Sequence, residues 1–168
     1  MKSFLLLFVS FLIFTKCGSN NAAQQCKYKA PSPVFQSLDS TSNYSFESNA
    51  QSAIESVRFD RLGFSIELVQ SGCSLLSQEY RIILPEKYPF NTPADVCAMH
   101  ISGIFYGLSV KYPLELNLLQ SWATAIRSVA NGLNYNEALN LPDNSIKMTI
   151  NKIHDNEKTI LSVLFEEF

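Results

Sequence analysis

The hydrophobic pattern of this chain changes between the period of a strand and the period of a helix. Apolar residues occupy every second position from Phe64 to Leu68 and again from Tyr80 to Leu84, with the turn-forming Gln70-Ser71-Gly72 between them. The same period of two returns from Ile146 to Ile150 and from Leu161 to Phe165. Such alternation indicates strands buried on one face, and a turn between two of them indicates a hairpin. The pattern therefore predicts two hairpins.

Two amphipathic helices are predicted between the hairpins. Asn91-Thr92-Pro93 provides a capping residue followed by a proline, which is typical of a helix start. Apolar residues then recur every three or four positions, at Cys97, Ala98, Ile101, Ile104, Phe105 and Leu108. Lys111-Tyr112-Pro113 ends this helix, and a second one is predicted from about Leu114 to Val129. Because the link is short, the two helices should pack as antiparallel neighbours.

A third, shorter helix is predicted just before the first hairpin. Its apolar face would be formed by residues at helical spacing, namely Ala50, Ala53, Ile54 and Val57, with Arg61 continuing the spacing. Asn49 precedes them as an N-cap, and Gly63 follows them where a helix would end. A strand through Val57 and Phe59 is the alternative, and the spacing favours the helix.

The order of these elements predicts an α+β domain. Runs of strands separated from a run of helices indicate an antiparallel sheet of about four strands, formed as hairpin, two helices, hairpin, with the helix pair packed on one face. Residues 50–168 would form this single domain, because the roughly 150 residues that follow residue 17 suffice for one domain and are too few for two. Residues 18–49 are polar, contain Pro31 and Pro33 and lack a sustained period, so they predict a tether, from which Val34, Phe35 and Leu38 could dock.

The face of the predicted sheet that the helices leave free should be polar. Its predicted members are Ser65, Glu67, Arg81, Lys147, Thr149 and Ser162. Ile83, Ile160 and Leu164 interrupt the polar pattern on that face. Two interpretations stay open for these three residues: the tether or the early helix covers them, or they form a binding patch.

The first seventeen residues are typical of an export signal. Lys2 precedes an apolar run from Phe4 to Phe14, and Thr15-Lys16-Cys17 follows it. At a rise of about 1.5 Å per residue this run spans under about 20 Å, too short for about 30 Å of bilayer hydrocarbon. The segment resembles the signal of bacterial lipoproteins, which implies acylation of Cys17 and a membrane-anchored protein that faces the periplasm. Cleavage after Ser19, which would release a soluble form, is the alternative.

The charge of the chain limits the classes of partner, and its cysteines limit the disulfides that it can form. The chain has 13 basic and 15 acidic residues. Lys2 and Lys16 would be lost with the signal, which leaves 11 basic residues and a net charge of −4. This negative charge disfavours nucleic acid as a partner. Cys26, Cys73 and Cys97 remain after processing. In an oxidising compartment the pattern predicts a Cys73–Cys97 disulfide. The alternative makes Cys97 a buried apolar residue and Cys73 a turn residue.

No motif in the sequence predicts a reaction, a metal or a cofactor. Cys97 and His100 lie three apart on one helix and could pair as thiolate and base, but membership of the apolar helix face explains them better. No second pair of ligands with zinc spacing accompanies them. His154-Asp155 belongs to a predicted turn, and no G-x-S-x-G elbow is present. The chain is therefore not predicted to be an enzyme.

Elimination leaves binding as the expected function. The first hypothesis is an envelope protein that binds another protein, for example an immunity or inhibitor protein against a delivered toxin. Its interface would use aromatic residues near element ends, namely Tyr80, Tyr88, Phe90, Tyr106 and Tyr112, for most of which core packing is the alternative. The second hypothesis is a carrier of a small apolar ligand held between sheet and helices, in a cavity lined by Phe64, Phe105, Trp122 and Phe165.

Overall fold

The computed structural model of the protein describes residues 29–49, 51–72, 76–85, 89, 91–142, 145–155 and 158–167. Within these residues the chain forms two α-helices, α1 (Ala94–Lys111) and α2 (Asn117–Val129), and a short 3₁₀ turn at Ala130–Gly132. It also forms seven strands: β1 (Thr41–Ser48), β2 (Ser52–Phe59), β3 (Phe64–Ser71), β4 (Ser77–Leu84), β5 (Ala138–Asn140), β6 (Ile146–Asp155) and β7 (Lys158–Glu167).

All seven strands belong to one antiparallel sheet with the order β1-β2-β3-β4-β7-β6-β5. The first four strands follow one another as a meander, and the last three form a second meander of opposite spatial order. The two meanders join at the centre of the sheet, where β4 and β7 pair from Ser77↔Glu166 to Leu84↔Thr159. Both helices lie in the chain between the meanders. Their inner residues pack in one core with the inward residues of the strands, so both helices lie on the same face of the sheet.

The predicted four-strand sheet is wrong, because the sheet has seven strands; the α+β class is consistent with the structure. The two predicted hairpins are confirmed as β3–β4 and β6–β7, and the two predicted helices are confirmed as α1 and α2. Three strands were not part of the predicted sheet. β1 lies in the segment predicted as a tether, and β5 is only three residues long. β2 replaces the favoured early helix and corresponds to the alternative, a strand through Val57 and Phe59.

Residues 52–59 form strand β2 because their inward positions follow a period of two. Ala53, Glu55, Val57 and Phe59 are all buried. A glutamate at a core position hides this alternation from the sequence. The two predicted helix-end signals serve turns instead: the Asn49 side chain accepts hydrogen bonds from the amides of residues 51 and 52, and Gly63 has a φ of 73° in the β2–β3 turn.

Residues 29–40 form a packed segment that we call the N-terminal strap. Phe35 is fully buried, and its ring meets the Phe59 ring edge-on at 6.2 Å. The Glu55 carboxylate accepts hydrogen bonds from the amides of Val34 and Phe35, at 2.7 and 2.8 Å. At the other end of the strap, the Tyr112 hydroxyl donates to the Asp39 carbonyl at 2.6 Å. The strap therefore covers the core side of β2, which α1 and α2 leave open.

The core lies between the sheet on one side and the helices with the strap on the other. Tyr80 on β4 is fully buried and packs edge-on against Phe105 of α1, with ring centroids 5.0 Å apart. α1 and α2 are linked by the Ser102 hydroxyl, which donates to the Ala123 carbonyl and accepts from Nε of Arg127. No helix in the described part of the chain is long and apolar enough to cross a membrane.

Candidate functional site

The face of the sheet turned away from the helices and the strap has no covering layer among the described residues. We call it the open face. The predicted polar set lies on it, because the neighbouring residues Ile66, Leu68, Tyr80, Ile82, Leu161 and Val163 are buried on the other face. The strap lies on the helix side, and the predicted early helix is part of the sheet. Neither the strap nor the residues of the predicted early helix cover Ile83, Ile160 and Leu164 within the described part of the chain.

A polar row runs across the middle of the open face. Strand register places five residues side by side on five consecutive strands, from β2 to β6: Ser56, Glu67, Arg81, Ser162 and Asn151. Ser162 is buried although it lies on this face, because the surrounding side chains cover it. Only the pairing of β4 with β7 brings the two halves of this row together.

Arg81 is the centre of the polar row and is held by two carboxylates. Its Nη1 donates to Glu67 Oε1 at 2.6 Å, and its Nη2 donates to Glu79 Oε2 at 2.7 Å. The hydrogen bond with Glu79 is the main cause that raises the pKa of Arg81, and Glu67 adds to it. Such charge-assisted pairs fix the guanidinium plane. The three side chains are partly exposed and together carry a net charge of −1.

An apolar row lies directly beside the polar row. Ile83, Ile160 and Ile153 face one another on β4, β7 and β6. With Arg81 and its partners they line a shallow cavity of about 230 Å³. Ile153 ends this row, where β6 has no partner strand on its other side among the described residues, and it is 53 % exposed. Leu164 lies on the opposite side of the polar row, between Glu79 and Thr149.

One buried acceptor at the end of the polar row lacks a hydrogen bond. Oδ1 of Asn151 is buried and has no partner within the described residues. A buried polar atom without a partner costs about 1–3 kcal/mol. The open face therefore combines a fixed charged centre with an adjacent apolar row. This combination suits recognition of another protein, whose interfaces use arginine and apolar anchors with a polar surround.

The predicted interface aromatics have different locations. Tyr80 is fully buried and its hydroxyl donates to Gln78, while Tyr112 is buried and holds the strap. Tyr106 is 45 % exposed on α1, under the Arg127 guanidinium at 5.3 Å. Tyr88 and Phe90 lie outside the described residues, as does the predicted lipidation site Cys17. The structure therefore assigns two of these aromatics to the fold and leaves Tyr106 on the surface.

Cys97 is fully buried near the start of α1. Its Sγ lies 2.9 Å from the Tyr135 hydroxyl, which donates to the Thr92 carbonyl at 2.7 Å. Burial is the main cause that raises the pKa of Tyr135. Cys97 has no disulfide partner among the described residues, and Cys73 lies outside them, so the Cys73–Cys97 bridge stays a prediction.

His100 lies on α1 beyond this cluster, and burial lowers its pKa. Within the described residues, no three His, Cys, Asp or Glu side chains gather where they could hold a metal ion.

A second site lies at one end of the helix–sheet interface, around Trp122. The indole stacks on Phe165 with ring centroids 4.0 Å apart and an angle of 14°. These two rings, with Leu118 and Ile146, line an apolar cleft of about 200 Å³. Trp122 Nε1 is buried and has no hydrogen-bond partner within the described residues. Burial raises the pKa of the nearby Tyr80 hydroxyl, and the indole of Trp122 opposes this shift. Phe64 and Phe105, which were predicted to line the same cavity, lie in the core.

Comparison of the chain with protein-family models, curated proteins and solved structures gives no match.

Residues that sequence reasoning missed are those whose role depends on register. Asn151 follows the buried Ile150 of β6, Ile153 lies among half-buried and exposed residues near the end of the strand, and nothing in their local pattern distinguishes them. Their importance comes from Ile160 and Ser162 beside them on β7, and from Ile83 and Arg81 one strand further. The only available signal was the interruption of the polar pattern at Ile83 and Ile160.

Proposed function

We propose that this protein acts outside the cytosol by binding another protein through the open face of its sheet, as immunity and inhibitor proteins do. The observation that carries this proposal is the apolar row Ile83–Ile160–Ile153 beside an arginine fixed by two carboxylates, on a face that no described element covers. A partner that fits would place apolar side chains on the isoleucines. It would offer a basic side chain or backbone N–H groups to Glu67 and Glu79.

The rigidity of the site supports this proposal. Central strands of a seven-stranded sheet present their side chains at fixed spacing, so little ordering entropy is lost on binding. The mature chain is acidic and has no basic cluster, which fits a protein partner better than nucleic acid.

Replacing Ile153 by lysine tests the open face as the interface. Because Ile153 is 53 % exposed, the substitution should leave the fold intact while placing a charge in the apolar row. We expect at least about tenfold weaker capture of the partner from an envelope extract, measured by affinity purification and quantitative mass spectrometry. The matched control is Leu62→Lys in the β2–β3 turn, since Leu62 is 52 % exposed and lies off the open face. Equal capture by both variants would contradict the proposal.

The N-terminal segment supports an envelope location with Cys17 acylated. Residues 4–14 provide an apolar signal core, and Cys17 stands where lipoproteins carry their lipid. We expect the mature protein from a membrane fraction to begin at Cys17 and to carry the added mass of acyl chains. Mass spectrometry of the N-terminal peptide measures this, and an unmodified start at Asn20 would show instead that the protein is released.

The Trp122 cleft favours a second candidate function, transport of a small apolar ligand. Trp122 is the single tryptophan of the chain, so its fluorescence reports directly on the cleft. If the cleft binds such ligands, titration with decanol should change the emission of Trp122 in a saturable way. Leu118→Arg, in the cleft wall, should abolish the change, whereas Leu114→Arg, at an 86 % exposed position outside the cleft, should preserve it. A linear, unsaturable response would remove this candidate.

A further inference from the structure

Helix α1 has a second apolar face that the fold does not use. Its inner residues pack in the core, as expected from Cys97 to Leu108. Its outer face contains exposed residues spaced alternately by three and four, namely Val96, Met99, Gly103, Tyr106 and Val110, and the exposed Gly107 lies beside them, four residues after Gly103. This spacing is the seam of two packed helices. α1 has no Asp, Glu, Lys or Arg between Asp95 and Lys111, and His100, at the edge of the outer face, is its one histidine.

The two glycines give this outer face a shape that can receive side chains. A Cβ atom added at Gly103 or Gly107 would meet nothing within 4 Å. Glycine inside a helix costs about 1 kcal/mol relative to alanine, and neither position has a positive φ that would require glycine. Open space above two glycines four residues apart permits close approach of another helix. The neighbouring Tyr106 ring is fixed under Arg127, so the edge of this groove is preformed.

We propose that the outer face of α1 pairs with the same face of a second copy of the chain, in antiparallel orientation, with the two-fold axis at Gly103. About this axis the apolar residues at the two ends of the face meet one another, and Tyr106 faces His100 of the partner subunit. Val96 then faces Val110 of the partner subunit, seven residues on either side of Gly103. Met99 faces Gly107 of the partner subunit, so that a long flexible side chain enters the space above a glycine.

The charges at the ends of α1 favour a second copy in this orientation. Asp95 lies in the first turn and Lys111 in the last turn, at equal distances along the helix from Gly103. An antiparallel pair has one aspartate and one lysine at each end, whereas a parallel pair has two like charges at each end. The helix dipoles also oppose each other in the antiparallel pair. A closed two-fold interface of this kind uses the same patch on both subunits.

The size of the face predicts a weak dimer. Val96, Met99, Tyr106 and Val110 are each about half exposed, which amounts to a patch on the order of a few hundred Å². That is below the size of a permanent interface. The dimer should therefore depend on protein concentration. It leaves the open face of the sheet free, because α1 lies on the other side of the sheet.

Cysteine cross-linking tests both the interface and its register. Gly103→Cys should form an intermolecular disulfide under mild oxidation, because residue 103 lies on the axis and meets its own copy. Val96→Cys alone should not, since the two copies of residue 96 would be about 20 Å apart along the pair. A mixture of Val96→Cys and Val110→Cys proteins should cross-link, and the unsubstituted protein is the control. Cross-linking of Val96→Cys with itself, or none by Gly103→Cys, would overturn the proposal.

Sedimentation velocity over a wide range of concentrations provides the second test. The mature, lipid-free protein should show a reversible monomer–dimer equilibrium, and Gly107→Glu should weaken it at least about tenfold. Replacing an exposed helix glycine should not unfold the protein. Ile153→Lys on the open face should leave the dimer unchanged. A monomer at all concentrations would overturn the proposal, as would a dimer sensitive to Ile153→Lys and not to Gly107→Glu.

Discussion

Replacing Glu55 by alanine should lower the free energy of unfolding by about 3 kcal/mol. The Glu55 carboxylate is fully buried and accepts hydrogen bonds from the backbone amides of Val34 and Phe35, at 2.7 and 2.8 Å. Without it, two backbone N–H groups lose their acceptor beneath the strap, and each buried unsatisfied group costs about 1–3 kcal/mol. Urea denaturation followed by circular dichroism would measure the loss as a lower transition midpoint.

The matched control for this prediction is Glu47→Ala. Glu47 is a glutamate on the neighbouring strand β1, but its side chain is exposed, so its loss should change stability by less than about 0.5 kcal/mol. Glu55→Gln should fall between the two, because an amide retains one acceptor oxygen and loses the charge. Equal stability of the Glu55→Ala and Glu47→Ala proteins would show that the strap is not held by this carboxylate.

Glu55 also explains why the N-terminal half of the fold could not be predicted from the sequence. A charged residue at an inward position of β2 breaks the alternation of apolar and polar residues, so the remaining apolar positions fit a helix better than a strand. The partner that makes this burial tolerable is the backbone of the strap, about twenty residues earlier in the chain. No local pattern carries that information, because backbone amides are present in every residue.

The parts that were predicted correctly are those fixed by local periodicity. The apolar stripe from Cys97 to Leu108 correctly predicted α1. The alternation around Tyr80 and Leu161 correctly predicted the central strands β4 and β7, because each of these two strands has one buried face. The polar members of the open face followed from the same alternation. The rows across that face did not, because they depend on which strands pair, and the β4–β7 pairing joins segments about 80 residues apart. The site could therefore be anticipated as a face of the sheet but not as an arrangement of residues.

Replacing Phe165 by alanine should lower the free energy of unfolding by about 3–5 kcal/mol, which is typical of deleting a buried aromatic ring. Phe165 is 3 % exposed and connects two parts of the core: it stacks on Trp122 of α2 and meets Tyr80 of β4 edge-on at 6.3 Å. Its loss leaves Trp122 without its stacking partner and enlarges the apolar cleft. Calorimetry or urea denaturation measures the stability, and the emission of Trp122 reports the local change.

Two further variants separate the ring contacts from simple loss of volume. Phe165→Leu retains most of the apolar volume but not the stack, so it should cost about 1 kcal/mol and still alter the Trp122 emission. Phe46→Ala removes a phenylalanine from the edge strand β1, where the side chain is half-buried, and should cost less than Phe165→Ala. If the Phe165→Ala and Phe46→Ala proteins lost equal stability, the Trp122–Phe165–Tyr80 cluster would not be what fixes α2 on the sheet. The cleft would then be a gap between loosely attached elements and not a formed site.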